Sequence, residues 1–485
     1  MPSHYLLDLL QGRLIGENVK VNGISLHSDL VSEGDLFVAL SSERYHAERF
    51  IEQAITQGAQ AIAIETMPEK QYPVSLIVVD DLRDKLAKIA SLFYQNPSKN
   101  LHLIGVTGTN GKSSIVDYIR QGFDLLTIKA TSIGTLGFIS QNRQATINTT
   151  PDTLSLNRML FESLESASSV VSMEVSSHAL AQHRTEGILF NTAIFSNLTQ
   201  DHLDYHKTMQ AYAESKALLF ASPELKCAIV NHSDPYTEYM LAALSTKTKV
   251  VRYAIEDASA DVYFKQIRLT PQGYQLVMDY QGQSFNFISK LIGRFNLANL
   301  LAAIIALVEY GLNINKVAQI AEQVKPVIGR MQLVELPSNK TIIVDYAHTP
   351  DALENILIEL SALCEGKLHV VFGCGGDRDR SKRSLMGEVA YKWADQLWVT
   401  SDNPRSEKPA DIIQDIVAGI SQDKVSLIED RRQAIQSAVQ ALGPLDILVV
   451  AGKGHEQYQQ IGKQKLPFDD VFEVKQAFTL SEASQ

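Results

Sequence analysis

Cysteine is scarce in this chain of 485 residues: three occur, Cys227, Cys364 and Cys374, an odd number without CxxC pairing. Neither a disulfide framework nor a cysteine zinc site is indicated, and a reducing compartment fits best. Long apolar runs are missing as well. The longest, Leu300 to Val308, has nine residues, well short of the roughly 18 that span a bilayer. The opening MPSHYLLDLLQGRL has no basic region leading into an apolar one, so no secretory signal is read. A soluble, cytoplasmic, monomeric protein with no membrane insertion is expected. There is also no long basic run, and 44 basic against 55 acidic residues give a formal charge of −11, which argues against a nucleic-acid partner.

The length suggests about three domains at roughly 150 residues each, and 45% hydrophobic with 20% charged residues is a globular composition. Two punctuated connectors divide the chain: Gln95-Asn96-Pro97-Ser98-Lys99-Asn100, and Lys325-Pro326 followed by Gly329-Arg330. The expected domains are 1–98, 99–328 and 329–485. The first mixes strand-like runs (Asp35 to Leu40, Ala61 to Glu65, Ser75 to Val79) with a helical stretch from Glu48 to Gln57. In the other two a pattern recurs: an apolar run, an abrupt polar or Gly-rich loop, then a helix-compatible stretch. The runs are Leu101–Val106, Val170–Val175, Ala193–Ser196, Thr341–Val344, Leu368–Phe372, Gln396–Thr400 and Ile447–Val450. Such βα units predict an α/β fold with open parallel sheets, which bind ligands at the carboxyl ends of their strands. Two sites are implied, one per domain, although any single loop also reads as an ordinary turn.

Thr107-Gly108-Thr109-Asn110-Gly111-Lys112-Ser113 follows such a run and opens a helix, the setting of a phosphate loop. Glycines let backbone N–H groups approach phosphate, the helix N-terminus favours anions, Lys112 adds charge and Ser113 can ligate Mg²⁺. The strict GxxxxGKS/T spacing is not met, because Val106 stands where its first glycine would. Downstream, Glu174 lies near the end of an apolar strand, where burial calls for a cation, either a metal or a lysine. Asp201-His202-Leu203-Asp204-Tyr205-His206 gathers four ligand-type side chains. A two-histidine zinc site ranks second there to Mg²⁺, the metal that ATP chemistry wants. Lys216 falls on the apolar stripe of the helical stretch Met209 to Phe220, where snorkelling of its stem is the ordinary explanation.

In their order and spacing, ten strings resemble the Mur ligase family over essentially the whole chain. They are LHSDLVSEGDLFVA (26–39), GVTGTNGKSS (105–114), NTTPDT (148–153), MEVSSHALAQHR (173–184), NLTQDHLDYH (197–206), GRFNLANLLAA (293–303), DYAHTPDAL (345–353), GCGGDRD (373–379), SDNPRSEKP (401–409) and AGKGHE (451–456). The resemblance implies a smaller N-terminal α/β domain for the UDP end of a substrate, a central P-loop mononucleotide-binding domain and a C-terminal Rossmann-like domain for an amino acid. It implies an ATP-dependent amide ligase of peptidoglycan precursor synthesis. Such an enzyme phosphorylates the D-glutamate carboxylate of UDP-N-acetylmuramoyl-L-alanyl-D-glutamate and lets meso-diaminopimelate displace phosphate from the acyl phosphate.

Site residues follow from the same resemblance. Thr107 through Ser113 with Asn296, Arg330, Asp345 and His348 would contact ATP. Ser113 and Glu174 would hold one Mg²⁺, and His202 with Lys216 a second; Lys216 matches the family lysine carbamylated by CO₂. An ammonium would repel Mg²⁺, whereas a carbamate is an oxygen-donor anion. Lys112, Lys216 and His202 would thus be the catalytic set. Leu26, Ser28, Glu43, Arg44, Tyr45, Asn148, Thr149, Thr150, Ser176, Gln182 and Arg184 match the UDP-muramoyl-dipeptide site. Arg378, Asp402, Asn403, Pro404, Arg405, Gly452 and Glu456 match the diaminopimelate pocket, with Arg405 selecting the distal carboxylate. The rivals are a lysine-adding or folylpolyglutamate-forming relative and, from a different class, a P-loop switch that binds ATP without making an amide.

Overall fold

The computed structural model describes residues 2–40, 47–270, 273–337 and 340–483. Three sheets follow one another along the chain. The N-terminal sheet has five strands in the order Arg13–Ile15, Ser75–Val78, Ala61–Ile64, Asp35–Ala39, Gly23–Ser25, all parallel except the first. Asp35–Ala39 and Ala61–Ile64 are buried along their whole length, as unbroken apolar runs covered on both faces should be. The helix expected from Glu48 to Gln57 is shorter, a 3₁₀ turn over Ala47–Phe50 leading into Ile51–Thr56.

The second sheet has eleven strands. Its parallel centre runs Ala130–Gly134, Val170–Glu174, His102–Thr107, Thr192–Phe195, Cys227–Asn231, Lys249–Tyr253. His102–Thr107 thus lies between strands to which the chain travels in opposite directions, the topological switch point at which open α/β sheets bind ligands. The phosphate loop leaves from its carboxyl end into the helix Lys112–Leu125. One edge is extended by an antiparallel meander, Val262–Thr270, Gly273–Tyr280 and Gln283–Ser289, that no βα pattern foreshadows. The apolar helix Arg294–Glu309 packs on this sheet, and eleven of its sixteen residues are buried.

The third sheet has six strands ordered Gln332–Leu333, Thr341–Asp345, Ile447–Ala451, Leu368–Phe372, Gln396–Val399, Val425–Leu427, the first antiparallel to the rest. The loops after Asp345, Phe372, Val399 and Ala451 therefore emerge on one side. An antiparallel hairpin, Tyr458–Ile461 with Gln464–Pro467, covers them. The last helix, Asp470–Ala483, is tied to this sheet by Arg431, whose Nε and Nη2 donate to Asp470 at 2.8 and 2.7 Å while Nη2 also reaches the Ala451 carbonyl at 2.9 Å. Both side chains of the pair are fully buried. Removing one partner strands a buried charge, at a cost of about 3–5 kcal/mol. Asp470→Asn should lower the urea midpoint of C-terminal unfolding by an amount equivalent to about 3 kcal/mol; an unchanged midpoint contradicts this role.

Candidate functional site

Gly111 caps the phosphate-loop helix in the left-handed region at φ 87°, and a Cβ there would lie 2.4 Å from Asn299 Oδ1. Only glycine fits. The loop curls so that Lys112 Nζ donates to the carbonyls of Gly108 and Thr109 at 2.8 and 2.7 Å. Lys216 Nζ, 1% exposed, donates to the same Gly108 carbonyl at 2.8 Å and lies 4.4 Å from the Tyr212 ring centre. Lys216 does not snorkel. Burial, reinforced by the Lys112 charge, drives its pKa well below the ordinary lysine value, so that the amine tends to the neutral form.

Glu174, 2% exposed, is satisfied differently from the expected cation partner. Its Oε1 accepts from Ser113 Oγ at 2.9 Å and from the Thr135 amide at 2.8 Å, and it makes no ion pair among the described residues. Neutral donors stabilise a carboxylate only partly. The Ser113 hydroxyl and Glu174 carboxylate side by side are an oxygen pair that suits Mg²⁺, whose remaining ligands are usually phosphates and water. The zinc alternative fares worse. His202 caps the single turn Leu203–His206 at φ 56°, whereas His206 faces Ser177 Oγ at 2.9 Å and stacks on Tyr212. No group of three or more His, Cys, Asp or Glu among the described residues is arranged to hold a metal. Burial, with the nearby cations, holds His202 well below its ordinary pKa, in the neutral form that can ligate a metal.

One cleft of about 310 Å³ joins this loop to the C-terminal sheet. Its walls include Thr109 to Ser113, Thr149, Glu174, Ser176 and His202 from the central sheet, and Arg330, His348, Arg378, Asp402, Asn403, Arg405, Gly452 and Glu456 from beyond it. Thr107 is buried behind the loop. Pro404 is absent from the cleft wall; its carbonyl accepts from the Glu407 amide at 3.0 Å. Arg330 spans the junction, stacked 4.3 Å from the Tyr346 ring centre with Nη2 3.4 Å from Ser113 Oγ. Asp345 turns inward to accept the Met331 and Ala347 amides at 2.6 and 2.7 Å. The GCGGDRD loop is fixed by buried Arg383, which grips Glu407 and holds that carboxyl down at about 2, while Glu407 accepts the Asp377 amide at 2.6 Å.

Further residues at this junction have surroundings that give them roles the resemblance did not assign. Asp201 pairs across the junction with Lys382 at 3.7 Å and lies 4.0 Å from His348. Burial opposes its ionisation, but Lys382, His202 and His348 outweigh it and hold its pKa below the carboxylate range. Tyr346 supports Arg330. In the apolar helix, Asn296 is buried against the Ile292 carbonyl and Tyr118, whereas Asn299, one turn on, faces Gly111. Asn299 also lines an adjoining cavity of about 480 Å³ with Phe295, Asp345 and Asn355. The side-chain amide beside Gly111 is that of Asn299, one turn on from Asn296, the residue that the resemblance assigned to ATP.

A third cavity, about 510 Å³, opens beside the N-terminal sheet and is lined by Leu26, His27, Ser28, Asn148, Asp152 and Arg184. Arg184 clamps Gln182 Oε1 and the Thr150 carbonyl, and Thr150 Oγ1 accepts from the Ser176 amide at 2.9 Å. Glu43, Arg44 and Tyr45 lie outside the described residues.

Two models match the chain: the Mur ligase middle domain over residues 106–307 and the Mur ligase glutamate ligase domain over 329–454. A protein of Pseudomonas syringae pv. tomato named UDP-N-acetylmuramoyl-L-alanyl-D-glutamate--2,6-diaminopimelate ligase is 40% identical, over 94% of this chain and 95% of its own. This chain belongs to the Mur ligase family. A Bacillus cereus protein of the same name is 41% identical over 96% of this Mur ligase and 95% of its own length. A solved structure under that name aligns over 99% of this chain and 100% of its own, with a TM-score of 0.67 and 34% identity. The MurF ligase of Thermotoga maritima in complex with ADP shares the fold, with a TM-score of 0.69 at 17% identity over 96% of this chain and 98% of its own.

His27 and Asp152 link the N-terminal sheet to the rest of this Mur ligase, 3.5 Å apart. The hydrogen bond to Asp152 raises the His27 pKa against burial; burial opposes ionisation of Asp152, yet His27 and Ser155 hold it low. The pair's stabilisation is complete below the ordinary histidine value of about 6.5 and is lost as pH rises through the raised one. It is lost again at acid pH, as Asp152 protonates below about 3.9. Asp152→Asn should shift the His27 midpoint, followed by NMR, to lower pH; an unmoved midpoint refutes the pairing.

Proposed function

We propose that this chain is an ATP-dependent ligase that adds meso-diaminopimelate to the D-glutamate of UDP-N-acetylmuramoyl-L-alanyl-D-glutamate through an acyl phosphate. The observation that carries the reading is the single cleft in which a phosphate loop and an Arg-, Asp- and Glu-bearing pocket from a second sheet face each other. The names of the relatives at 40 and 41% identity support the same substrate pair. Residues 1–98 would hold the UDP end, 99–328 ATP, and 329–485 the amino acid. A cytoplasmic monomer is the setting proposed, and no helix among the described residues is long and apolar enough to cross a membrane.

A carboxylate is a poor electrophile, so the protein's task is to position it and neutralise charge during phosphoryl transfer. Adenosine would occupy the cavity lined by Asn299 and Asp345, with its phosphates toward Gly111 and Lys112. Lys112 and Arg330, on the two sides of the junction, would face the phosphates. Ser113 and Glu174 would hold one Mg²⁺, and His202 with a carbamate on Lys216 a second. Bound there, Mg²⁺ would screen phosphate charge during the transfer. Burial favours the neutral amine of Lys216, the form that reacts with CO₂, which supports the carbamate. Asn148, Thr149, Ser176 and Arg184 line the path from the UDP cavity to the phosphate loop and would align the dipeptide.

Diaminopimelate carries a second zwitterionic centre that lysine lacks, and the pocket offers both signs of charge. Arg405 gives one nitrogen to the Gly376 carbonyl at 2.6 Å, and its other side-chain nitrogens have no protein partner among the described residues. That leaves a planar fork for a carboxylate. Arg405→Ala should abolish turnover with meso-diaminopimelate while ADP binding survives; unchanged kinetics remove the assignment. The reading as a whole is tested by phosphate release from ATP, Mg²⁺ and the UDP-dipeptide with meso-diaminopimelate or L-lysine, checking product mass. Release dependent on diaminopimelate is expected. Preference for lysine would overturn the specificity, and release with neither amine would overturn the ligase.

A further inference from the structure

Lys453 is fully buried, and the resemblance gave it no role. It sits at the carboxyl end of the strand Ile447–Ala451, between glycines that let the backbone close over it. A Cβ on Gly452, at φ 115°, would lie 2.6 Å from Asp402 Oδ2, so the loop can approach Asp402 only as glycine. The Lys453 ammonium reaches Glu456 Oε2 at 3.1 Å, Asn403 Oδ1 at 3.2 Å and Asp402 Oδ1 at 3.8 Å. Each of these three partners also faces the cleft.

The geometry fixes what each partner has left to offer. Glu456 Oε2 is doubly occupied, by Lys453 and by Asn403 Nδ2 at 2.8 Å, whereas Oε1 has no hydrogen-bond partner among the described residues. Asn403 Oδ1 accepts from Lys453 and from the Gln460 amide at 2.8 Å, which locks its side chain and pins the hairpin over the pocket. The Asp402 carboxylate accepts no hydrogen bond among the described residues, and its ion pair is with Lys453. Without that ammonium, Asp402 and Glu456 would repel across a largely dry space, and both would turn to water or to Arg405.

We propose that Lys453 is a positioning residue that presents Asp402 and the free Oε1 of Glu456 to the ammonium group of the incoming amino acid. The inference rests on the amide-ligase reading and concerns how its amine substrate is recognised. Lys453 touches no substrate itself; it sets the aim and the charge balance of two anions, leaving Arg378 and Arg405 free for a carboxylate.

The experiment compares the full chain with Lys453→Met and Lys453→Arg, measuring KM separately for meso-diaminopimelate, ATP and the UDP-dipeptide. In Lys453→Met, KM for diaminopimelate should rise about tenfold or more, with the other two within about twofold, and Lys453→Arg should recover part of the loss. Unchanged KM for diaminopimelate, or an equal rise in all three constants, overturns the proposal, since a merely structural lysine would act alike on all substrates. Should Lys453→Met not fold, a cycle of Lys453→Arg and Glu456→Gln decides: the fold-changes in KM should be non-additive, and additive changes overturn it. A wild-type enzyme that uses lysine instead refutes the diaminopimelate reading, and the same series with lysine as varied amine still tests Lys453.

Discussion

The buried meeting of Asp201 with Lys382 and His348 ties the third sheet to the phosphate-loop side of the junction, and all three residues line the cleft that runs along it. A carboxylate that is 5% exposed is costly unless cations compensate it, and here most of the compensation comes from the opposite side of the junction. Nearby, Asn110 Nδ2 donates to Asp351 at 3.1 Å and Gln200 to Ser381 at 3.2 Å, so much of the seam is polar, beside the apolar contact that Ile292 and Phe295 make with the core of the third sheet. Seams of this kind open and close more readily than packed ones. A ligase that must admit three substrates and then exclude water needs both states.

Charge around the loop is left incompletely balanced. Lys112 donates to two loop carbonyls and makes no ion pair among the described residues, and buried Glu174 is answered by two hydroxyls and an amide. Phosphate would relieve the first imbalance and a divalent cation the second, so the loop is preorganised for the pair together. Farther along the cleft the Lys453 network does the reverse, using an internal cation to hold two anions ready for an external one.

Much of this was legible because it is local. The phosphate loop, the βα alternation and the sheet-end loops are written in contiguous residues whose spacing follows from strand and helix geometry. What escaped was decided by distant partners. The resemblance pointed to Asn296; it is the packing of Arg294–Glu309 on the sheet that turns Asn299 toward Gly111. Asp201, Tyr346 and Lys453 gain their roles from residues 181, 16 and 50 positions away, respectively Lys382, Arg330 and Asn403. The antiparallel meander Val262–Ser289 was missed because the βα pattern carries no sign of it.

The central claim is that the carboxylate is activated by phosphorylation and that this same phosphate is then displaced by an amine. Oxygen-18 in the reacting glutamate carboxylate of the UDP-dipeptide tests it most directly. The account predicts that the phosphate released in each turnover with meso-diaminopimelate carries one oxygen-18 atom from that carboxylate. Unlabelled phosphate alongside amide product would contradict it.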